Sequence, residues 1–164
     1  MQKMTTLEVT QSKIYDRVVL GQRLTMWRFQ NKKVVFTNGC FDILHRGHIE
    51  YLSKARDLGD ILVIGLNTDA SVKRIKGANR PVQDETSRAM VLASLRFVEA
   101  VVLFDEDTPF DLINFIKPDV LVKGGDYTES SIIGAEVVKA NGGEVVTIPI
   151  VEGYSTTGIL NVKF

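Results

Sequence analysis

Five short apolar runs, spread along the chain and each bounded by turn formers, constrain the fold more than any other feature of the sequence. They are Val34-Val35-Phe36, Ile61 to Leu66, Ala100 to Phe104, Val120-Leu121-Val122 and Val145 to Ile150. Each is rich in β-branched residues, as strands buried on both faces of a parallel sheet are. The stretches between them carry helical character. Ile49, Leu52, Ala55 and Leu58 fall on one stripe before Gly59-Asp60, and Met90, Val91 and Leu95 extend a second pattern over Glu85 to Leu95. Pro109 to Ile116 reads as a third helix with Thr108 as N-cap, ended by Pro118; Gly134 to Ala140 reads as a fourth, closed by Asn141-Gly142-Gly143. Strand and helix alternate, so the expected fold is α/β: a Rossmann-like, doubly wound parallel sheet of five strands with helices on both faces. Residues 1–31 stand outside this alternation. Tyr15, Val18, Val19, Leu24, Trp27 and Phe29 suggest a helical extension packed on the outside, with a lid, a dimer contact and core cover all open as its role.

The chain has 164 residues, enough for one such domain. Its 20 basic and 20 acidic side chains cancel, so no nucleic-acid or membrane-surface partner is expected. Cys40 is the only cysteine, which excludes an intramolecular disulfide and fits a reducing compartment. No apolar run approaches the ~20 residues of a membrane span. The first residues lack a signal-peptide apolar region, so a cytoplasmic location is expected.

Function concentrates after the first run, in Thr37-Asn38-Gly39-Cys40-Phe41-Asp42-Ile43-Leu44-His45-Arg46-Gly47-His48. Ligands of open α/β sheets bind beyond the carboxyl ends of the strands, where strand order reverses. Gly39 permits close backbone approach, and Gly47 sits where a helix begins, with free N–H groups and the positive dipole end toward an anion. The chain's only two histidines, His45 and His48, lie three apart across this turn and reach one phosphate. Phosphoryl and nucleotidyl transfer need positioning and stabilisation of charge growing on oxygen, which imidazoles, helix-start amides and nearby lysines supply. Competing readings are structural histidines, a zinc site, for which a single nearby cysteine gives no common ligand spacing, and Cys40 as nucleophile or as a small packed thiol.

Three later segments join the same sheet edge. Val72-Lys73-Arg74-Ile75-Lys76-Gly77 is a basic loop able to grip phosphate, or merely solvated. Arg80 and Arg88 add cations; Arg88 opens a helix, where a cation opposes the dipole unless a fixed partner or an anionic ligand holds it. Lys123-Gly124-Gly125-Asp126-Tyr127 opens the backbone after the fourth run, and Asp126 suits a sugar, a base or Mg²⁺, or only a turn. Ser155-Thr156-Thr157 supplies hydroxyls and amides at a helix start. Neither Gly-x-Gly-x-x-Gly after the first run nor a Walker A loop occurs, which argues against a dinucleotide oxidoreductase and a P-loop enzyme.

Asn38-Gly39-Cys40-Phe41-Asp42 followed by His45-x-Gly-His48 resembles the HxGH nucleotidyltransferase superfamily, which includes alcohol-phosphate cytidylyltransferases, pantetheine-phosphate adenylyltransferase and bacterial ADP-heptose synthases. Asn67-Thr68-Asp69-Ala70-Ser71, Lys73-Arg74-Ile75-Lys76-Gly77, Arg80-Pro81-Val82, Glu106-Asp107-Thr108-Pro109, Leu121 to Tyr127, Asn141 to Val145 and Ser155-Thr156-Thr157 extend the likeness over about Lys33 to Leu160. Together they look most like the adenylyltransferase domain of ADP-heptose synthase, often fused behind a sugar kinase. The related cytidylyltransferases carry Arg-Thr-Glu-Gly-Ile-Ser-Thr-Thr before the last helix. Here Ile150 replaces that arginine, which favours ATP over CTP.

The resemblance implies a nucleotidyltransferase domain over residues 32–164. D-glycero-β-D-manno-heptose 1-phosphate attacks the α-phosphorus of ATP, giving ADP-heptose and pyrophosphate for lipopolysaccharide core synthesis. It implies His45, His48 and Lys76 as catalytic residues. Asn38, Gly39, Cys40, Phe41, Gly125, Asp126, Ser155, Thr156 and Thr157 join the histidines in holding the nucleotide. Asp42, Lys73 and Arg88 hold the acceptor. Mg²⁺ is expected on ATP, without a direct protein ligand. A homodimer and a separate heptose kinase are the expected partners. A cytidylyltransferase acting on glycerol 3-phosphate and a non-catalytic nucleotide-binding sensor domain are the alternatives.

Overall fold

The computed structural model describes residues 3–125, 127–128, 131–149, 151, 153–154 and 156–160, with the Thr157 side chain left aside. It holds a six-stranded parallel sheet of β1 (Ile14–Tyr15), β2 (Val34–Gly39), β3 (Ile61–Asn67), β4 (Ala100–Phe104), β5 (Val120–Gly124) and β6 (Glu144–Ile148), in the order β1-β4-β3-β2-β5-β6. The helices are α1 (Thr6–Gln11), α2 (Arg17–Phe29), α3 (Arg46–Arg56), α4 (Asp69–Lys76), α5 (Glu85–Ser94), α6 (Phe110–Ile116), α7 (Ala135–Ala140) and α8 (Thr156–Leu160).

The five expected strands are present, and a sixth comes from the N-terminal extension. β1 pairs Ile14 with Val101 and Tyr15 with Val102 on the free edge of β4. Two residues are too few for any hydrophobic period to register, which is why the sequence suggests only helices there. The extension is also core cover. Leu20, Leu24 and Trp27 of α2 are buried against Phe36, Leu112 and Ile116, and such leucines contribute about 1.5–3 kcal/mol each.

Two apolar layers sandwich the sheet. Leu20, Phe36, Val63, Val102, Leu121 and Val138 lie in the layer with α2, α6 and α7; Val35, Leu52, Leu62, Leu92, Val101 and Val122 lie in the other, with α3 and α5. Alternate residues of each strand go to opposite layers, so both faces are dry and the strands read as unbroken apolar runs.

Two of the differences in helix boundaries from the sequence pattern concern capping. Residues 72–77, expected as a basic loop, instead form most of α4 and its Gly77 C-cap; the helix starts at Asp69, where the Thr68 hydroxyl caps the Ser71 amide at 3.2 Å. Pro109, not Thr108, occupies the N-cap of α6.

Candidate active site

β2 lies between β3 and β5, so the chain leaves β2 to one side for β3 and returns on the other for β5. This reversal opens a crevice at the carboxyl ends of β2 and β5. A cleft of about 440 Å³ occupies it, lined by Asn38, Gly39, Cys40 and Phe41, by His45, Gly47, His48 and Tyr51 on the α3 side, and by Lys76, Gly124, Tyr154 and Thr156.

His45 is the N-cap of α3 and His48 its third helical residue, so both rings stand over one helix start. They stack with centroids 3.9 Å apart and planes 20° from parallel. His45 makes no side-chain cap bond, so the Arg46 and Gly47 amides have no side-chain cap, while the His48 amide donates to the His45 carbonyl at 2.9 Å. Phe41, at a positive φ of 42° that non-glycine residues rarely adopt, sets its ring edge-on to His48 with centroids 5.3 Å apart. A Cβ at Gly47 would lie 3.1 Å from both the His45 ring and the Tyr154 Cβ, so a side chain there would push against the stack. Arg46 bonds Glu50 at 2.6 Å and stands 5.7 Å over the Tyr154 ring.

The Nδ1 atoms of His45 and His48 are both buried and lack a hydrogen-bond partner. Burial holds the His45 ring below its ordinary pKa. Burial, then the neighbouring His45 ring, pushes His48 down to about 4, against a smaller opposing effect of the Ile43 backbone. Both imidazoles are therefore neutral at pH 7. An anion close to the rings would favour their protonated form.

The arginines nearby are bound differently. The Asp42 carboxylate accepts from Arg80 Nε at 2.5 Å and from the amides of Val82 and Gln83 at 2.8 and 3.1 Å. Burial raises its pKa, but the Gln83 amide, Arg80 and the Val82 amide outweigh it and hold the carboxyl below its usual range. The Arg88 side chain is fully buried. It donates to the carbonyls of Gln83, Cys40 and Asn67 at 3.0, 2.7 and 2.9 Å and to Asp69 at 2.7 Å. Asp42 and Arg88, expected to hold the acceptor, thus have their bonding capacity taken up by the protein: Asp42 ties residues 80–83 to the turn after β2, and Arg88 ties α5 to the ends of β2 and β3. The helix-start cation has the fixed partners that its position required, without a ligand.

Of the other expected residues, Asn38, Gly39, Cys40, Phe41, Lys76 and Thr156 line the cleft together with the two histidines. Lys73 sits on α4 with its side chain exposed and outside the lining. Gly125, at φ 111°, turns the backbone and donates to the Ile148 carbonyl at 3.0 Å, while Gly124 faces the cleft in its place. Asp126, Ser155, Ile150 and the Thr157 side chain lie outside the described residues. Burial raises the Cys40 thiol pKa despite Lys76, Arg88 and Arg80 nearby, so it is protonated at neutral pH and unsuited to attack. Among the described residues, no group of three or more His, Cys, Asp or Glu side chains is placed to hold a metal ion.

Three contributors were not singled out from the sequence. Tyr154 covers the histidine stack, with its ring centroid 6.3 Å from that of His45. Tyr51 shares a 2.7 Å hydrogen bond with Thr37 and donates to the Val122 carbonyl at 3.2 Å, fixing α3 across β2 and β5. Lys123 ends the buried run of β5 and donates to the Asn38 side-chain oxygen. Burial lowers its pKa to about 8. A lysine directly following three buried apolar strand residues was the available signal, since burying an ammonium is costly without a reason.

A family model, cytidylyltransferase-like, matches residues 36–160, from the middle of β2 to the end of α8. The chain belongs to the cytidylyltransferase-like family. It is a nucleotidyltransferase of this family by sequence, with the histidine turn inside the matched region. Among curated proteins it is 56% identical to the bifunctional protein HldE of Bradyrhizobium diazoefficiens over 148 residues, 90% of this chain and 30% of that protein. The bifunctional protein HldE of Citrifermentans bemidjiense is also 56% identical, over 91% of this chain and 31% of its own length. The chain thus spans about a third of the length of these relatives. Among solved structures, the lipopolysaccharide core biosynthesis protein of Thermoplasma volcanium GSS1 aligns with a TM-score of 0.59 and 32% identity, over 76% of this chain and 99% of that one. These likenesses carry the cytidylyltransferase-like fold across the whole cleft.

Proposed function

We propose that this nucleotidyltransferase moves AMP from ATP to D-glycero-β-D-manno-heptose 1-phosphate, giving ADP-heptose and pyrophosphate for lipopolysaccharide core synthesis. The carrying observation is the stacked histidine pair, two buried and unpartnered imidazole nitrogens at a helix start beside Lys76. The sugar choice is supported by the resemblance to the adenylyltransferase domain of ADP-heptose synthase, by the HldE relatives and by the lipopolysaccharide core biosynthesis protein of similar structure.

A phosphate oxygen of the acceptor attacks the α-phosphorus in line. A new oxygen–phosphorus bond forms, the bond to the β-phosphate bridge breaks, and pyrophosphate leaves with its electron pair. The nucleophile is already an anion, so no general base is needed. His45 and His48 donate to the α- and β-phosphate oxygens as charge grows there, and Lys76 neutralises the leaving group. The α3 amides and Thr156, with Ser155 and Thr157, cradle the phosphates. Asn38, Gly39 and Phe41 shape the floor beneath them. Mg²⁺ enters on ATP as part of the substrate, screening its charge; the described cleft offers cationic and amide donors, which suit phosphate oxygens. A kinase working alongside supplies the heptose 1-phosphate. The setting is the cytoplasm, where ATP is at hand, and the exposed Val18 and Phe29 of α2 give a homodimer its contact. No helix among the described residues is long and apolar enough to cross a membrane.

Pyrophosphate release, with ATP or CTP crossed against heptose 1-phosphate and glycerol 3-phosphate, tests this reading. ATP with the heptose phosphate is expected to dominate. Preference for CTP with glycerol 3-phosphate would make the protein a cytidylyltransferase for alcohol phosphates. ATP binding with no pyrophosphate from any pair would make it a sensor.

A further inference from the structure

With Arg88 and Asp42 engaged by the protein's own carbonyls, amides and oppositely charged side chains, the acceptor phosphate needs another counter-charge. A second cavity, of about 170 Å³, lies at the β5 end, lined by Pro109, Lys123, Tyr127, Ser131, Ile132 and Ile133. Lys123 and Leu121 alternate onto the sheet face that packs on α6 and α7, whereas Gly124 faces the Tyr51 ring on the α3 side, 3.3 Å from where its Cβ would be. The smaller cavity is therefore entered from the opposite wall of the crevice to the histidine stack. Lys123 joins the two spaces: it lines the small cavity, and its ammonium donates to Asn38, which lines the larger cleft.

Among the described residues no carboxylate lies within ion-pair distance of Lys123, although Arg80 and Arg88 each have one. A half-buried ammonium whose only described side-chain partner is a neutral amide keeps two further N–H donors for an anion. The rest of the lining, an exposed tyrosine ring, a serine, a proline and two isoleucines, is the mixed surface that a small polyol phosphate fits. The larger cleft has the size for the nucleotide and the smaller for the group that attacks it.

We propose that the cavity lined by Lys123, Tyr127, Ser131 and Ile132 is the acceptor subsite, and that the Lys123 ammonium binds the phosphate of the incoming phosphate ester beside Asn38. The inference rests on the nucleotidyl-transfer reading for its direction of attack. A phosphate monoester carries nearly two charges at neutral pH. Lys123 holds it at the seam between the cavities, from which one phosphate oxygen faces the α-phosphorus.

Titration calorimetry on the full chain saturated with α,β-methylene-ATP tests this without turnover, with heptose 1-phosphate and inorganic phosphate as separate probes. Lys123→Met is expected to weaken both probes by about 10- to 100-fold, the range for one charge-assisted hydrogen bond. Affinity for the ATP analogue should stay within about twofold, and Lys123→Arg should recover most of the loss. In steady state the acceptor KM should rise far more than kcat falls. Unchanged probe binding in a folded Lys123→Met protein, or equal weakening of the ATP analogue, would overturn the assignment; so would failure of both probes to bind the wild type. If the probes bind in a Lys123-dependent way but no pyrophosphate is released from ATP, the subsite stands and the proposed reaction falls.

Discussion

Two groups of polar side chains gather near the carboxyl end of β2, and they differ in one respect. Around Asp42 and Arg88 the donors and acceptors are matched inside the protein: three carbonyls and a carboxylate for one guanidinium, two amides and a guanidinium for one carboxylate. In the histidine stack two buried nitrogens have no partner. Leaving a buried polar group unpaired costs about 1–3 kcal/mol, so each such group in a fold calls for a role. On the proposed function, the paired cluster acts as scaffold and the unpaired one as site.

The largest effect that would sharpen this contrast is on stability. Arg88→Ala strands three carbonyls and Asp69, and should cost roughly 3–5 kcal/mol, as loss of a buried charge partner does. Denaturant unfolding would measure it. Arg88→Lys should recover little, because one ammonium cannot span the same fork. An Arg88→Ala protein of full stability with a large rise in acceptor KM would break the comparison, since the arginine would then belong to the site.

Next comes His48→Ala. It should leave the fold intact and lower pyrophosphate release by about 10²-fold or more, roughly 3 kcal/mol of transition-state stabilisation. Near-normal turnover in the folded variant would remove the ring from the chemistry.

The smallest effect is a pH dependence. The unfolded chain protonates histidine near 6.5, while the folded His48 resists protonation until about 4. Below the unfolded value the unfolded state holds the extra proton, so stability falls as pH drops from about 6.5 to 4 and is unaffected above. The shift caps this loss at roughly 3 kcal/mol, and solvent around the partly exposed ring reduces it. Chemical denaturation from pH 7 to 4.5 should show a shallower slope in His48→Gln. A saturating ATP analogue should flatten the wild-type slope as well, because it gives the protonated ring a counter-charge. An unchanged slope in both cases would mean that the ring is not held neutral by its surroundings.

Much of this arrangement was legible beforehand, for physical reasons. The parallel sheet showed because strands dry on both faces leave runs such as Ile61 to Leu66 with no polar interruption. The histidine turn showed because chemistry at a helix start depends on near neighbours in sequence. What stayed hidden depended on distant partners. Arg88 lies 48 residues from the Cys40 carbonyl and 21 from that of Asn67, so nothing local told a strut from a phosphate ligand. Asp42 likewise takes its partners 38 to 41 residues away. α4 was obscured because exposed lysines and an arginine masked its short buried face of Ser71 and Val72. β1 was too brief to carry a period.

That two-residue strand matters beyond its length. Without β1, the main-chain N–H and C=O groups along one side of β4 would meet solvent or another molecule, and an unpaired edge next to dry apolar strands is a template for intermolecular pairing. The segment that follows it lays Leu20, Leu24 and Trp27 over the same sheet. Trimming the chain to its family-matched region would therefore do more than shorten it: the trimmed protein would carry a sticky margin and a bared sheet face.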